Sequence, residues 1–283
     1  MRCLPCGGKV GRTEPERNKA TMTFAPKMVA LDIDGTLVDS AGNMPHEIHD
    51  AVQKTAEKVP VVLATGRGWL ATQPIFDMLE LPQGWVVCSN GAVLVHNPPF
   101  ELVHEVLFDP TETIRRVSEL LPTARICVER NLVRYASQPF PEGEIEGDVH
   151  IVGIDELVAE PVSRLIIREP EADGDSIFGE LISELGMHDV SYFVGWSAWL
   201  DIAPKGIHKA TGLQRVCDDL GVAADDVLAL GDGYNDVEML QWAGRGVAMG
   251  QSPVEVRDAA DAVTGPFAEL GTVEELERWF DDV

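Results

Sequence analysis

Two acidic motifs lie near opposite ends of the chain, and each directly follows an apolar run. The motif DIDGT, residues 32–36, follows MVAL, and the motif GDGYND, residues 231–236, follows VLAL. Short apolar runs beside turn residues predict strands that are buried on both faces of a parallel sheet. Ligands of open α/β sheets bind beyond the carboxyl ends of such strands. The two motifs are therefore expected to meet around one hard cation and one phosphate.

Composition narrows the class of partner. The 283 residues are 45% hydrophobic and 24% charged, and the formal net charge is -25. These proportions are ordinary for a globular domain, but the acidic balance argues against nucleic-acid or anionic-membrane binding, which needs clustered Lys and Arg. A phosphorylated small molecule would need a local cation to approach this chain, which favours a bound divalent metal.

The cysteines and the first residues bear on the compartment. Five scattered cysteines are typical of a reducing environment rather than a disulfide scaffold. The chain has no run of about 18 apolar residues that would span a membrane, and residues 1–23 lack the apolar centre of a secretory signal. We expect a cytoplasmic protein in which residues 1–23 form a disordered leader or reflect an over-long start, with Met22 or Met28 as the true one.

Strand and helix patterns alternate over residues 25–90 and again after Gly206. This alternation predicts right-handed crossovers and a parallel sheet. The segment between them contains strand pairs with few crossovers, which predicts an antiparallel sheet. The expected fold is α/β: a Rossmann-like parallel sheet core with helices on both faces, residues 24–90 and 205–283, plus an inserted α+β cap domain, residues 91–204.

The first acidic motif has a spacing that suits catalysis. Asp32 and Asp34 are separated by one residue, and Gly35 allows the chain to turn after them. In extended backbone, alternate side chains share one face, so the two carboxylates could act as a nucleophile beside a proton donor. An Asx turn that caps a helix is the structural alternative for such an Asp-Gly pair.

Two other segments can supply phosphate contacts. Thr65 ends the apolar run VVLA, and its hydroxyl, with the amides of Gly66 and Arg67, can donate to phosphate oxygens. Read alone, Thr65 also suits a helix N-cap. Lys209 lies in the first turns of the helix that re-enters the core, where an isolated lysine is usually solvated.

Six segments, taken together and in this order, resemble the haloacid dehalogenase superfamily of phosphatases, and within it the Cof-like group with an inserted C2-type cap. They are DIDGT at 32–36, ATGR at 64–67, SNGA at 89–92, DIAPKGIHKA at 201–210, GDGYND at 231–236 and VAMG at 247–250. One departure is Gln251, where the family often has asparagine. Its longer amide is expected to keep a hydrogen bond to the acidic loop.

The resemblance implies a Mg²⁺-dependent phosphatase that hydrolyses a small phosphorylated metabolite, such as a sugar phosphate, through an aspartyl phosphate. The nucleophile would attack phosphorus, and the second aspartate would protonate the leaving oxygen. The expected catalytic residues are Asp32, Asp34, Thr65 and Lys209. The expected substrate contacts are Thr65, Gly66, Arg67, Asn90, Gly91 and Lys209. The expected metal-site residues are Asp32, Asp34 through its backbone carbonyl, Asp232, Asn235 and Asp236.

Electrostatics favours the same division of roles. The four aspartates of the two motifs would repel a phosphate dianion, and a cleft of low dielectric constant strengthens that repulsion. Mg²⁺ and the Lys209 ammonium would offset it, so metal dependence is expected from charge as well as from resemblance.

Two alternatives remain at the level of sequence. A sugar phosphomutase would use the same residues to transfer the phosphoryl group to a sugar. A non-catalytic phospho-ligand binder would keep the fold but lose the catalytic carboxylates, whereas Asp32 and Asp34 are both present. The motifs specify neither the leaving group nor an oligomeric state.

Overall fold

A computed structural model describes residues 24–141, 143–145, 147–169, 190–194 and 199–280. The leader predicted over residues 1–23 lies outside these residues. The strands are β1 (Met28–Leu31), β2 (Val61–Ala64), β3 (Gly84–Cys88), β4 (Val93–Asn97), β5 (Glu101–Glu105), β6 (Arg125–Arg130), β7 (Val133–Ala136), β8 (Val149–Ile151), β9 (Arg164–Arg168), β10 (Val190–Val194), β11 (Trp199–Pro204), β12 (Val227–Gly231), β13 (Arg245–Ala248) and β14 (Ala262–Val263).

Helices connect most of these strands. They are α1 (His46–Ala56), α2 (Trp69–Met78), α3 (Thr111–Leu120), α4 (Ile154–Leu157), α5 (Lys209–Leu220), α6 (Val237–Trp242), α7 (Val254–Ala259) and α8 (Gly271–Phe280). The buried positions of α1 follow helical spacing, as the amphipathic pattern requires. α5 ends at Gly221, which adopts the left-handed conformation common after a helix C-terminus.

The first sheet has the strand order β14-β13-β12-β1-β2-β3-β4-β5. The six strands from β14 to β3 pair in parallel, and β4 and β5 continue the sheet in antiparallel pairs. β1 is a central strand in which alternate residues enter two separate cores. Val29 and Leu31 pack with α1, α2 and α8, whereas Met28 and Ala30 pack with α5, α6 and α7. Burial of both faces explains the uninterrupted apolar run before the first acidic motif.

The second sheet has the order β10-β11-β9-β6-β7-β8 and is antiparallel except between β7 and β8. One of its faces is covered by α3 and α4 through a cluster that includes Ile114, Val128 and Leu165. The predicted α/β core with an added α+β unit is confirmed.

The strands β4 and β5 correct one expectation about the chain path. Both fall within residues 91–204, which were predicted to belong to the cap, yet both are hydrogen-bonded members of the first sheet. A 3₁₀ turn at Ser89–Gly91 reverses the chain so that β4 pairs with β3. The chain therefore leaves the first sheet after Glu105 rather than at Gly91. Antiparallel strands give the same sequence pattern in either sheet, so the pattern alone could not assign them.

Among the described residues, no helix combines the length and the apolar character that crossing a membrane would demand.

Candidate active site

The carboxyl ends of β1 and β12 bring the two acidic motifs together. The strands pair in parallel with Leu31 opposite Leu230, so the residues that follow each strand emerge side by side. Carboxylate oxygens of Asp32, Asp232 and Asp236 lie within 4.8 Å of one another. Asp32 and Asp236 are buried and Asp232 is partly exposed, which leaves the group open on one side.

Lys209 supplies the cation inside this cluster. It is the first residue of α5 and is fully buried. Its ammonium donates to Asp32 Oδ1 at 2.5 Å and to Asp236 Oδ1 at 2.7 Å. An isolated lysine at this position is expected to be solvated, whereas the fold gives Lys209 two carboxylate partners from distant parts of the chain.

Asp236 also shapes the loop that carries Asp232. Its second oxygen, Oδ2, accepts hydrogen bonds from the backbone amides of Asp232 and Gly233, each at 2.9 Å. Hydrogen bonds from backbone amides to a carboxylate are strong because the acceptor is charged. One carboxylate therefore holds the acidic loop with one oxygen and Lys209 with the other.

Burial and the neighbouring charged groups shift the pKa values of this cluster. Burial and the neighbouring Asp236 carboxylate raise the pKa of Asp32 well above its ordinary value, against the opposing effect of Lys209. Burial and Asp236 likewise raise the pKa of Asp232 to about 6. The pKa of Lys209 is raised although burial acts to lower it, because the two carboxylates outweigh burial. The site carries more negative charge than one lysine offsets.

This arrangement fits a hard divalent cation. Three carboxylates at mutual ligand distance offer the oxygen donors that Mg²⁺ prefers. The excess negative charge around Asp32 and Asp232 is what a dication would neutralise. Gln251 supports the open side of the group, since its Nε2 donates to Asp232 Oδ2 at 3.2 Å and to the carbonyl of Gly35 at 2.7 Å. The side-chain amide of Gln251 therefore makes the hydrogen bond to the acidic loop that the sequence predicts.

Asp34 lies outside the three-carboxylate group. Its side chain is 55% exposed, and the turn at Gly35, where φ is +72°, leads the chain away after it. Arg67 donates to both carboxylate oxygens of Asp34, from Nε at 3.0 Å and from Nη2 at 2.6 Å. Arg67 was predicted as a substrate contact. In the structure it forms a bidentate ion pair with Asp34, the predicted proton donor.

The loops after β2 and β3 are joined by backbone hydrogen bonds. Ser89 N donates to Arg67 O at 2.8 Å, and Asn90 N donates to Thr65 O at 3.0 Å. Thr65 is buried, and its hydroxyl accepts from the Arg67 amide at 3.0 Å. Gly66 lies close to the side chains of Asn90 and Asn235. These contacts hold the predicted phosphate-binding loop against the loop after β3.

Asn90, Asn235 and Gly91 have contacts that the motifs did not specify. Asn235 Nδ2 donates to Asn90 Oδ1 at 3.0 Å, which connects the acidic loop to the loop after β3. Gly91 packs closely on the backbone of His208, just before α5. The predicted roles of Asn235 at the metal and of Gly91 at the substrate stay predictions.

Four charged residues of the second sheet form ion pairs that reach this edge through Glu129, and none of them was among the predicted site residues. Their signal is charge within an otherwise apolar strand, as in RICVER and RLIIR, where Glu129 follows Arg125 and Arg168 follows Arg164 by four positions. Such spacing places charge on one buried face. The residues are Glu129, Arg134, Arg164 and Asp201.

The fold agrees with comparisons to known proteins. Residues 29–276 match the family described as haloacid dehalogenase-like hydrolase. The chain is similar to a 5-amino-6-(5-phospho-D-ribitylamino)uracil phosphatase of Bacillus subtilis, with 27% identity over 89% of this chain and 95% of the relative. It is similar to a phosphoglycolate phosphatase of Natronomonas pharaonis, with 28% identity over 90% and 98% of the two chains. A haloacid dehalogenase-like hydrolase from Bacteroides thetaiotaomicron has a similar structure, with 26% identity, a TM-score of 0.74 and coverage of 90% and 100%.

Proposed function

Since this chain belongs to the haloacid dehalogenase-like hydrolase family and is a phosphatase, we propose that it hydrolyses a small phosphorylated metabolite through an aspartyl phosphate on Asp32. The substrate class is a sugar phosphate or a similar monoester. The observation that carries the proposal is the buried Asp32 carboxylate held by Lys209 beside Asp232 and Asp236. A cytoplasmic location belongs to the same proposal.

Mg²⁺ would be held by Asp32, Asp232 and Asp236, together with the backbone carbonyl of Asp34. When bound, the ion supplies positive charge that lets a phosphate dianion approach the carboxylates and polarises its oxygens. The three-carboxylate group and its excess negative charge support this assignment.

The protein groups divide the chemistry between them. The Asp32 carboxylate would attack phosphorus, with Lys209 fixing the orientation of the carboxylate and offsetting the charge of the incoming phosphate. Asp34 would protonate the leaving oxygen and later accept a proton from the hydrolytic water. Arg67 donates to both oxygens of Asp34 and so holds it as the carboxylate, the form that accepts the proton from the hydrolytic water. The Thr65 hydroxyl would donate to a phosphoryl oxygen.

The proposal is tested with purified protein and a panel of phosphorylated metabolites plus p-nitrophenyl phosphate. Phosphate release should require Mg²⁺, should stop in EDTA and should return when Mg²⁺ is added in excess. The matched blank is Asp32→Asn, which keeps the size of the side chain and removes its nucleophilic charge. Full activity in EDTA, or equal release by protein and blank, would refute the assignment. Isomerised hexose phosphate without phosphate release would indicate a mutase instead.

A further inference from the structure

Four charged side chains form a row across the second sheet, on the face opposite α3. Arg134 of β7 and Arg164 of β9 are the direct partners of Glu129 in β6, and Asp201 of β11 lies beside Arg164. Paired residues of neighbouring strands point to the same side of a sheet. We call these four residues the charged row. All are buried, and their charges alternate and balance.

The charged row holds the Glu129 carboxylate firmly. Arg134 Nε donates to Glu129 Oε1 at 2.7 Å, and Arg164 Nη1 donates to the same oxygen at 3.2 Å. Arg164 is itself fixed by three hydrogen bonds to the Asp201 carboxylate, at 2.7 to 3.1 Å. Burial acts to raise the pKa of Glu129, but the two guanidinium groups outweigh it and the pKa is lowered. The carboxylate therefore remains charged and cannot turn aside without loss of ion pairs.

Glu129 also reaches across to the first sheet. Ser89 Oγ donates to Glu129 Oε2 at 3.4 Å. A Cβ placed on Gly68 would lie 2.7 Å from the carboxyl carbon of Glu129 and nearer still to both oxygens. Gly68 is buried and follows Arg67, in the loop that also carries Thr65. A carboxylate of the second sheet thus fills the space that any larger residue at position 68 would need.

We propose that Glu129 is a positioning residue that docks the cap on the catalytic core, with Gly68 and Ser89 as its seat. This inference rests on the proposed phosphatase function. The seat adjoins Arg67, which holds the predicted proton donor, and Ser89 also bonds to the Arg67 carbonyl. Docking of Glu129 therefore fixes both the position of the cap on the loop after β2 and the loop itself, which carries Arg67, the partner of Asp34.

The test adds one methyl group to the seat. Gly68 has φ -75° and ψ 165°, so alanine fits the backbone there and acts only through its Cβ. Gly68→Ala should displace Glu129, and a misplacement of about 1 Å can cost about a hundredfold in rate. We expect a loss of that order in kcat/KM for p-nitrophenyl phosphate with Mg²⁺. Glu129→Asp shortens the side chain and keeps the charge, so Gly68→Ala with Glu129→Asp should recover most of the loss.

The matched control separates space from charge. Glu129→Gln keeps the size of the native residue but loses its ion pairs, so each double variant is compared with its own single variant at position 129. Gly68→Ala should lower kcat/KM further in the Glu129→Gln background and should not do so in the Glu129→Asp background. If Gly68→Ala also lowers the melting temperature, the Glu129→Asp double variant should restore it for the same reason. Unchanged kcat/KM in Gly68→Ala, failure of Glu129→Asp to rescue, or equal rescue by Glu129→Gln would each overturn the inference.

A measurement that does not depend on catalysis distinguishes failure of the docking proposal from failure of the phosphatase proposal. Amide hydrogen exchange over residues 65–72 should be faster in Gly68→Ala than in the native protein and slower again in the double variant with Glu129→Asp. That pattern supports docking even if the native protein releases no more phosphate than Asp32→Asn. Identical exchange in all three proteins would overturn docking even if the native protein is an active phosphatase.

Discussion

Gln251 shows how one additional methylene group, relative to asparagine, can be used beside the proposed metal site. Its Nε2 reaches both the Gly35 carbonyl and Asp232 Oδ2, while its Oε1 accepts from the Phe267 amide at 2.9 Å. The side chain therefore connects the loops after β1 and β12 to the 3₁₀ turn at Phe267–Glu269. An amide that orients a ligand carboxylate affects affinity for the ion without touching it.

Replacement of this amide should weaken Mg²⁺ binding. Removing a residue that orients a metal ligand typically costs about 10 to 100-fold in metal affinity, and we expect Gln251→Ala to raise the Mg²⁺ concentration for half-maximal activity by about that factor. The control is Gln251→Asn, which keeps the amide on a shorter stem and should fall between alanine and the native residue. The measurement is a Mg²⁺ titration of initial rates. Identical titration curves for the three proteins would contradict this role.

At the scale of elements, the charged row connects four strands of the second sheet by side chains as well as by backbone. Buried ion pairs carry a large desolvation penalty, so the intact row contributes little net stability, whereas removal of one member is costly. Glu129 is the member that two arginines share. Loss of the Glu129 carboxylate would leave the buried guanidinium groups of Arg134 and Arg164 with fewer hydrogen-bond acceptors.

The contribution of the Glu129 carboxylate to the free energy of unfolding should decrease as pH falls. We expect Glu129→Gln to lower the free energy of unfolding at pH 7 by about 3 kcal/mol. The pKa of Glu129 in the folded protein is lower than the ordinary 4.5. A carboxyl group with a lowered pKa stabilises the fold above its unfolded pKa, and that contribution disappears as pH falls through the folded pKa. The difference between native protein and variant should therefore shrink below pH 4.5.

Urea unfolding at neutral pH and at progressively lower pH measures this difference. The control is Glu160→Gln, because Glu160 is an exposed carboxylate whose distance from Arg130 is 3.8 Å. That variant should show a small difference at every pH. A Glu129→Gln difference that stays constant across the same range would show that the carboxylate charge contributes nothing.

The sequence predicted the strand ends well and the contacts between elements poorly. Buried parallel strands and turn glycines follow local rules, so Asp32 and Asp232 could be assigned to one edge before the fold was known, whereas Lys209 was assigned to the site only through the family resemblance. The pairing of Arg67 with Asp34 depends on side-chain direction, which spacing does not fix. The partners of Glu129 come from β7 and β9, and no local pattern states which strands become neighbours. For the same reason, the sequence pattern could not show which of the two sheets β4 and β5 join.

At the scale of the whole molecule, the dominant property is the formal net charge of -25. A large net charge destabilises a compact fold through self-repulsion. The Debye length falls from about 30 Å at 0.01 M salt to about 8 Å at 0.15 M, so added salt should screen repulsion between distant parts of the surface.

We expect the melting temperature to rise by a few degrees over this range of NaCl, in buffer that contains EDTA so that no divalent ion contributes. A change of about 1 kcal/mol shifts the melting temperature of a protein of this size by about 2 to 4 °C. Potassium chloride is the control, because screening depends on ionic strength and not on the identity of the ion. A melting temperature that stays constant or falls would show that local ion pairs outweigh the net charge.

The position of β1 between β2 and β12 has a consequence for protein synthesis. Asp32 leaves the ribosome 200 residues before Asp232, an interval of about 10 to 40 s at ordinary elongation rates of about 5 to 20 residues per second. During that interval one edge of β1 has no partner strand, and the growing polypeptide holds the proposed nucleophile without the carboxylates of Asp232 and Asp236. Activity should therefore be acquired late and abruptly, when the last third of the messenger RNA has been read.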